Sequence, residues 1–255
     1  MVNVAYTEKG EKKYASKLVE ADKEKYTFYC PNPKCKTEMS LAIYENYSNT
    51  FKANMKNKGH KEGCWAKNSD LTQIYSTNDY NTKDFIEQLI SSKSKKQNTK
   101  NSMVSKSEFK HKKLSTLKDI FIYCRTHDVD EKINGEYIRN IFLDDRNVRF
   151  YNDVGVNGYK MMMPTKVGEE ISINNQKIKM SLKYGKLSVT LNFENKTVLN
   201  NVKKKLSLDS DRDLNKIRII VATKWFTYKK DGVPKMIYGD IVNAKQIIDV
   251  SSYEI

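Results

Sequence analysis

Two short spacings constrain this chain more than anything else in it. FYCPNPKC at residues 28–35 carries Cys30 and Cys35 with four residues between them, and GHKEGCW at residues 59–65 carries His60 and Cys64 with three. A tetrahedral zinc site needs four soft or borderline ligands at roughly 2.0–2.3 Å, and tight turns deliver such ligands two at a time. Pro31 and Pro33 stiffen the first turn, Gly59 and Gly63 free the second, and the 24 residues between Cys35 and His60 suit a hairpin that returns the chain to its start. With only 4 Cys and 3 His in the whole chain, two such pairs so close together point to one Cys3His site holding a structural Zn2+. A disulfide is the competing reading, and it is disfavoured in the cytoplasm. Bound zinc would also explain how a module of about 70 residues with a thin core holds together.

The run VAYTEKGEKKYASKLVEADKEKYTFYCP, followed by the second Cys, FKAN and GHKEGC, resembles the amino-terminal zinc-ribbon-like module of competence CoiA-like proteins. The resemblance covers residues 4–66 and implies Cys30, Cys35, His60 and Cys64 as ligands. It departs in two places. The first Cys pair is spaced by four rather than two residues, and residues 51–53 read FKA where the family has an aromatic followed directly by His. The nuclease-like region that follows in that family has no counterpart in the rest of the chain, so its activity is not carried over.

Between the two ligand pairs, Met39, Leu41 and Ile43 alternate with polar residues, as do Phe51, Ala53 and Met55, and ENYSN supplies a turn, which predicts a β-hairpin. YNTKDFIEQLISSK reads as a helix capped by Asn81 or Thr82, with Phe85, Leu89 and Ile90 on one face. Residues 91–113 then carry eight Lys and one Glu among Ser and Asn, with Met103, Val104 and Phe109 as the apolar residues. Such a stretch buries too little apolar surface to offset the entropy of ordering, so it reads as a linker. This gives a zinc-binding module over 1–90, a linker over 91–113 and a second domain over 114–255.

The second domain opens with a helix near 115–126, capped by Ser115 or Thr116, whose stripe Leu117, Ile120, Phe121, Cys124 faces a core. Cys124 reads as a buried inert thiol, with the Cys124-x-x-His127 spacing as an alternative ligand pair. EYIRNIFL is a short helical or extended piece, and from residue 147 the chain reads as strands. KIKMSLKYGKLSVTLNF is one hairpin pattern, and the run from Lys216 to Val250 is a longer one turning at Asp231-Gly232. The fold class is α+β: a small zinc-bound hairpin module, then one or two helices and a barrel-like or curved antiparallel sheet.

Apolar runs such as DIFIYC and IRIIVA fall far short of the roughly 20 residues a membrane span requires, and the first residues lack the apolar core of a secretory signal, so a cytoplasmic protein with no membrane contact is expected. The net charge of +15 favours a polyanionic partner, since Lys and Arg gain affinity for phosphates by releasing counterions. Residues 91–113 hold about half of that excess, and they are either a basic arm or a solvated tether. Aromatic residues beside cations on strands supply stacking and phosphate contacts together: Tyr184 with Lys183 and Lys186, and Trp225, Phe226 and Tyr228 with Lys224, Lys229 and Lys230, although strand alternation buries Trp225. The expected function is therefore that of a zinc-containing protein that binds DNA or RNA, single-stranded or without sequence preference. A protein-interaction module of a mobile element or phage is one alternative. A metal-dependent nuclease is the other; it would place Glu194 and Lys196 on one face at a strand end, with Glu169 or Glu170 from a loop as partner acid. His127, Asp128, Asp130, Asp144 and Asp145 form acidic clusters of the kind that make turns and caps.

Overall fold

The computed structural model of the protein describes residues 2–45, 49–54, 59–62, 64, 66, 75–77, 79–91, 112–164, 166–172, 175–182, 186–208 and 217–253. Five short antiparallel strands build the first module: β1 (Val4–Thr7), β2 (Lys12–Tyr14), β3 (Phe28–Tyr29), β4 (Glu38–Ala42) and β5 (Thr50–Ala53), in the spatial order β2-β1-β3-β4-β5. The expected hairpin is β4 with β5. Met39 and Leu41 point inward opposite Ala53 and Phe51 while Glu38 and Ser40 face out, the period-2 pattern of a half-buried strand. Val2 and Phe51 exchange backbone hydrogen bonds of 2.8 and 2.7 Å, which draws β5 back to the start of the chain and curls the sheet. The Phe28 and Phe51 rings pack 4.9 Å apart at its centre.

Two helices follow, α1 (Thr82–Ile90) and α2 (Leu117–Thr126). The Asn81 side chain accepts from the Asp84 N–H at the start of α1, and Thr116 accepts from the Asp119 N–H at the start of α2, so each orphaned helix end is satisfied locally. Leu117, Ile120, Phe121 and Cys124 are buried as the stripe requires, and burial pushes the Cys124 thiol up, as suits an inert core group. Residues 92–111 of the Lys-rich stretch lie outside the described residues.

The second sheet has eight strands: β6 (Phe142–Leu143), β7 (Gly158–Met162), β8 (Lys166–Ser172), β9 (Lys177–Ser181), β10 (Ser188–Phe193), β11 (Ile219–Lys230), β12 (Val233–Ile241) and β13 (Ile247–Asp249). Their order is β6-β7-β11-β12-β10-β9-β8, with β13 pairing the start of β11. The result is a curled, half-barrel sheet, antiparallel except at β6 with β7 and β10 with β12, and the protein as a whole is mixed α+β and mostly β. Both expected hairpins, β9 with β10 and β11 with β12, are present. Asp231 and Gly232 both take positive φ, 51° and 77°, the mirror-image turn whose twist matches a two-residue hairpin.

The expectation of strands alone from residue 147 onward is corrected by a third helix. Asn195 caps α3 (Lys196–Leu206) by accepting from the Val198 N–H, and the helix buries Leu199, Val202 and Leu206. β11 is consequently covered on both sides along its first half. Ile220 and Ala222 belong to the core that includes α2, and Ile219, Val221 and Trp225 to the core that includes α3 and Val148. Gly239 pairs with Trp225 and leaves room for its ring: a Cβ there would lie 2.5 Å from Thr223 Cγ2 and 3.0 Å from the indole.

A polar junction joins the first module to α2. Arg146 donates to the Cys124 and His127 carbonyls at 2.8 and 2.9 Å, and its guanidinium lies 2.9 Å from the Asp144 carboxylate. Arg125 also pairs with Asp144, at 2.7 Å, and with Asp145, at 2.8 Å. Ser16 and Lys17 of the first module reach Glu131 and Asp128 at 3.0 and 2.8 Å. The acidic groups of THDVDE and LDDRN are thereby engaged in turns and ion pairs.

Candidate metal centre and the open sheet face

The turn after β3 and the turn that follows β5 meet. One ligand atom from each of Cys30, Cys35, His60 and Cys64 falls within 4.8 Å of the other three, and among the described residues no second group of His, Cys, Asp and Glu converges in this way. Cys30 Sγ lies 3.7 Å from Cys64 Sγ, and His60 Nδ1 lies 3.6 Å from Cys35 Sγ and 3.7 Å from Cys64 Sγ. Tetrahedral ligands around a zinc ion would stand about 3.8 Å apart for sulfur pairs and about 3.6 Å for a sulfur and an imidazole nitrogen. The three cysteines are buried and free of disulfide bonds.

The surroundings are arranged for thiolates. The Asn32 N–H donates to Cys30 Sγ and the Asn32 side-chain amide to Cys64 Sγ, both at 3.4 Å; the Lys61 N–H donates to Cys35 Sγ at 3.4 Å. Such donors orient ligands and stabilise their negative charge. Asn32 is itself held in the turn, where its carbonyl accepts from the Cys35 N–H at 2.9 Å and its side-chain oxygen from the Lys34 N–H at 3.0 Å. Burial pushes the Cys35 thiol up, but the Thr37 hydroxyl, the Lys61 N–H and His60 outweigh it and lower its pKa to about 6. Burial drives the Cys30 thiol the other way, reinforced by Cys64 and Cys35. A cation among them would favour the thiolate at every position, because a coordinating thiol is deprotonated outright. Asn32 is the residue that sequence reasoning misses here; the available signal is an Asn held between two prolines inside the ligand turn.

Along the second half of β11 the cover over one face ends. Lys224 and Tyr228 are exposed and Phe226 is half-buried, while Trp225 between them stays buried on the other side. Strand register extends this face sideways, since paired residues project to the same side of a sheet. Phe226 pairs with Tyr238, Tyr238 with the buried Thr190 and Thr190 with Lys179 in one row; beside it Tyr159 pairs with Lys224 and, farther across the sheet, Asp240 with Asn192 and Asn192 with Lys177. The Phe226 and Tyr238 rings stack with centroids 5.5 Å apart and planes 21° from parallel. The Lys224 ammonium sits 5.4 Å from the Phe226 ring and 5.8 Å from that of Tyr159.

The residues singled out in the sequence are distributed as follows. Lys224 and Tyr228 share the open face, and Lys229 and Lys230 are exposed at the hairpin end of β11. Lys186 is exposed elsewhere, its N–H donating to Asn152 at 2.9 Å, and Lys183 and Tyr184 lie outside the described residues. Phe226, also named in the sequence, shares that face, and Tyr238, Tyr159, Lys177 and Lys179 are additions that only strand register reveals. For the nuclease alternative, the geometry differs from the expectation: Glu194 follows β10, but Lys196 is the first residue of α3 and not a strand neighbour, because Asn195 turns the chain into the helix. Glu169 and Glu170 belong to β8 and not to a loop. His127 does not form a ligand pair with Cys124; its ring stacks on Tyr123 at 3.8 Å and its Nδ1 lies 2.8 Å from the Tyr123 carbonyl.

Among the described residues no helix is long and apolar enough to cross a membrane. No protein-family model, curated protein or solved structure matches this chain.

Proposed function

We propose that Cys30, Cys35, His60 and Cys64 hold one structural zinc ion, and that the protein binds single-stranded nucleic acid on the open face of its second sheet. The zinc reading is supported by the ligand spacing: three soft sulfurs and one imidazole within 4.8 Å of one another, with Cys30–Cys64, His60–Cys35 and His60–Cys64 at 3.6–3.7 Å, suit Zn2+, whereas hard cations such as Mg2+ and Ca2+ take oxygen ligands. All four positions are filled by side chains, which suits a structural ion better than one with an open coordination site. Neither turn carries much apolar surface of its own, so an ion bridging them would supply folding energy to the module.

The observation that carries the binding reading is the stacked Phe226–Tyr238 pair flanked by Lys224 on its own strand and Lys179 across the sheet. Bases stack on exposed rings without regard to sequence, and nearby ammonium groups attract the phosphates between them. A net charge of +15 supplies the long-range attraction. Fluorescence anisotropy of labelled oligonucleotides against the full chain, over a series of salt concentrations, tests the reading. Binding that weakens with salt and weakens further in Phe226→Ala supports it, and the absence of binding to single-stranded DNA or RNA at low salt overturns it.

A further inference from the structure

On the other side of β7 from the open face lies a cavity of about 450 Å³ bounded by Arg139, Asn140, Phe150 and Tyr151. Phe150 is 70% exposed, an unusual position for a phenyl ring. The rest of the groove is held in place: the Tyr151 hydroxyl donates to the Arg139 carbonyl at 2.7 Å, and the Lys160 ammonium donates to the Asn140 carbonyl and sits 5.9 Å from the Tyr151 ring. Arg139 pairs with Asp130 and lies 4.4 Å above the Tyr137 ring. An exposed apolar ring thus shares a groove with Arg139 and with Asn140, whose backbone carbonyl holds the Lys160 ammonium.

The groove and the open face are neighbours across a strand edge. Tyr159 and Lys160 are consecutive on β7, so their side chains leave the strand on opposite sides. Tyr159 belongs to the face with Lys224, and Lys160 belongs to the groove. β6 pairs only with Met161 and Met162, so among the described residues no strand covers the outer edge of Gly158–Lys160. The Tyr159 hydroxyl at the end of the row donates to Glu87 of α1 at 2.9 Å, and the groove lies on the other side of this strand edge.

The geometry points to a nucleotide subsite: one unpaired base of the bound strand leaves the face at Tyr159, crosses the edge of β7 and stacks on Phe150, with Arg139 next to its phosphate. This inference rests on the reading that the face carries single-stranded nucleic acid. Charge complementarity selects the occupant, because an exposed ring in a groove that Arg139 also lines suits a base joined to a phosphate better than an apolar peptide side chain.

The test uses the full chain and labelled oligo-dT of two lengths, about four and about twelve nucleotides, within the span single-strand sites commonly cover. The short oligomer occupies the face alone, and the long one reaches the groove. Phe150→Ala is expected to weaken the long oligomer about 5- to 150-fold at fixed salt, the loss of one stacked base, and to leave the short one unchanged. Phe226→Ala should weaken both. Because Phe150 is exposed, its replacement should leave the melting temperature unaltered, which keeps the comparison free of unfolding. If Phe150→Ala binds the long oligomer as the native chain does while Phe226→Ala is impaired, the groove is no subsite and the face reading survives. If the native chain binds neither oligomer, both fall.

Discussion

The Lys12 ammonium, on a strand of the Cys/His module, lies 3.4 Å from the carbonyl of Arg125 in the last turn of the helix that opens the second domain. It stands where the helix dipole favours a cation, but it is half-buried and near two guanidiniums. Burial, then Arg125 and Arg146, lower its pKa from the ordinary 10.5 to about 7. Between about pH 7 and pH 10.5 the unfolded chain therefore carries a proton that the folded chain has lost. Since the unfolded state binds more protons in that window, the contribution of Lys12 makes stability rise with pH across it. Melting curves from pH 7 to pH 9 should show this rise, and Lys12→Met should flatten it. An unchanged pH profile in the variant would mean that Lys12 keeps its proton on folding.

The Asp144 carboxylate is fully buried between Arg125 and Arg146. Asp144→Ala leaves the buried Arg125 and the half-buried Arg146 short of a shared carboxylate, and breaking a buried pair by removing one partner typically costs about 3–5 kcal/mol. Chemical denaturation should show a loss of that order. A change of a few tenths would show that solvent reaches the junction and screens it.

Gly239→Ala should be destabilising for a steric reason, although Gly239 lies within a strand where alanine is conformationally acceptable. The new methyl group would press on Thr223 and the Trp225 ring, and overpacking of this kind costs about 1–3 kcal/mol. The check is the denaturation midpoint together with the fluorescence of Trp225.

On the open face, stacking and charge separate by their response to salt. Phe226→Ala should weaken oligonucleotide binding at fixed salt without altering the slope of log K against log salt. Replacing Lys179 and Lys224 together by Ala should reduce that slope by about 1.4, near 0.7 for each phosphate of a single strand that is no longer neutralised. Equal slopes in the native chain and the double variant would remove these lysines from the binding surface.

Features set by short-range pattern were legible in the sequence. The ligand pairs sit in turns of a few residues, the Met39–Leu41 alternation marks a half-buried strand, and Asn81 and Thr116 cap their helices through contacts three residues away. Helix α3 was missed: Asn195 precedes the spacing Leu199, Val202, Leu206, but the surrounding strand pattern and the mid-helix Asn200 and Asn201 obscured it. What could not be read was everything that depends on lateral placement. The parallel pairing of β10 with β12, which sets Thr190 beside Tyr238 and completes the row from Lys179 to Phe226, joins residues more than forty positions apart through register alone. The Arg125–Asp144–Arg146 junction depends likewise on how α2 meets the loop after β6.

Metal content measured on the full chain, purified without chelator, decides whether Cys30, Cys35, His60 and Cys64 form a zinc site. One zinc per chain is expected. Cys64→Ser should lose the metal and melt at a lower temperature, because the remaining buried thiols and His60 then lack the ion that would hold the two turns together. Native protein that contains no zinc, or a Cys64→Ser variant with undiminished zinc and the same melting temperature, would contradict the assignment.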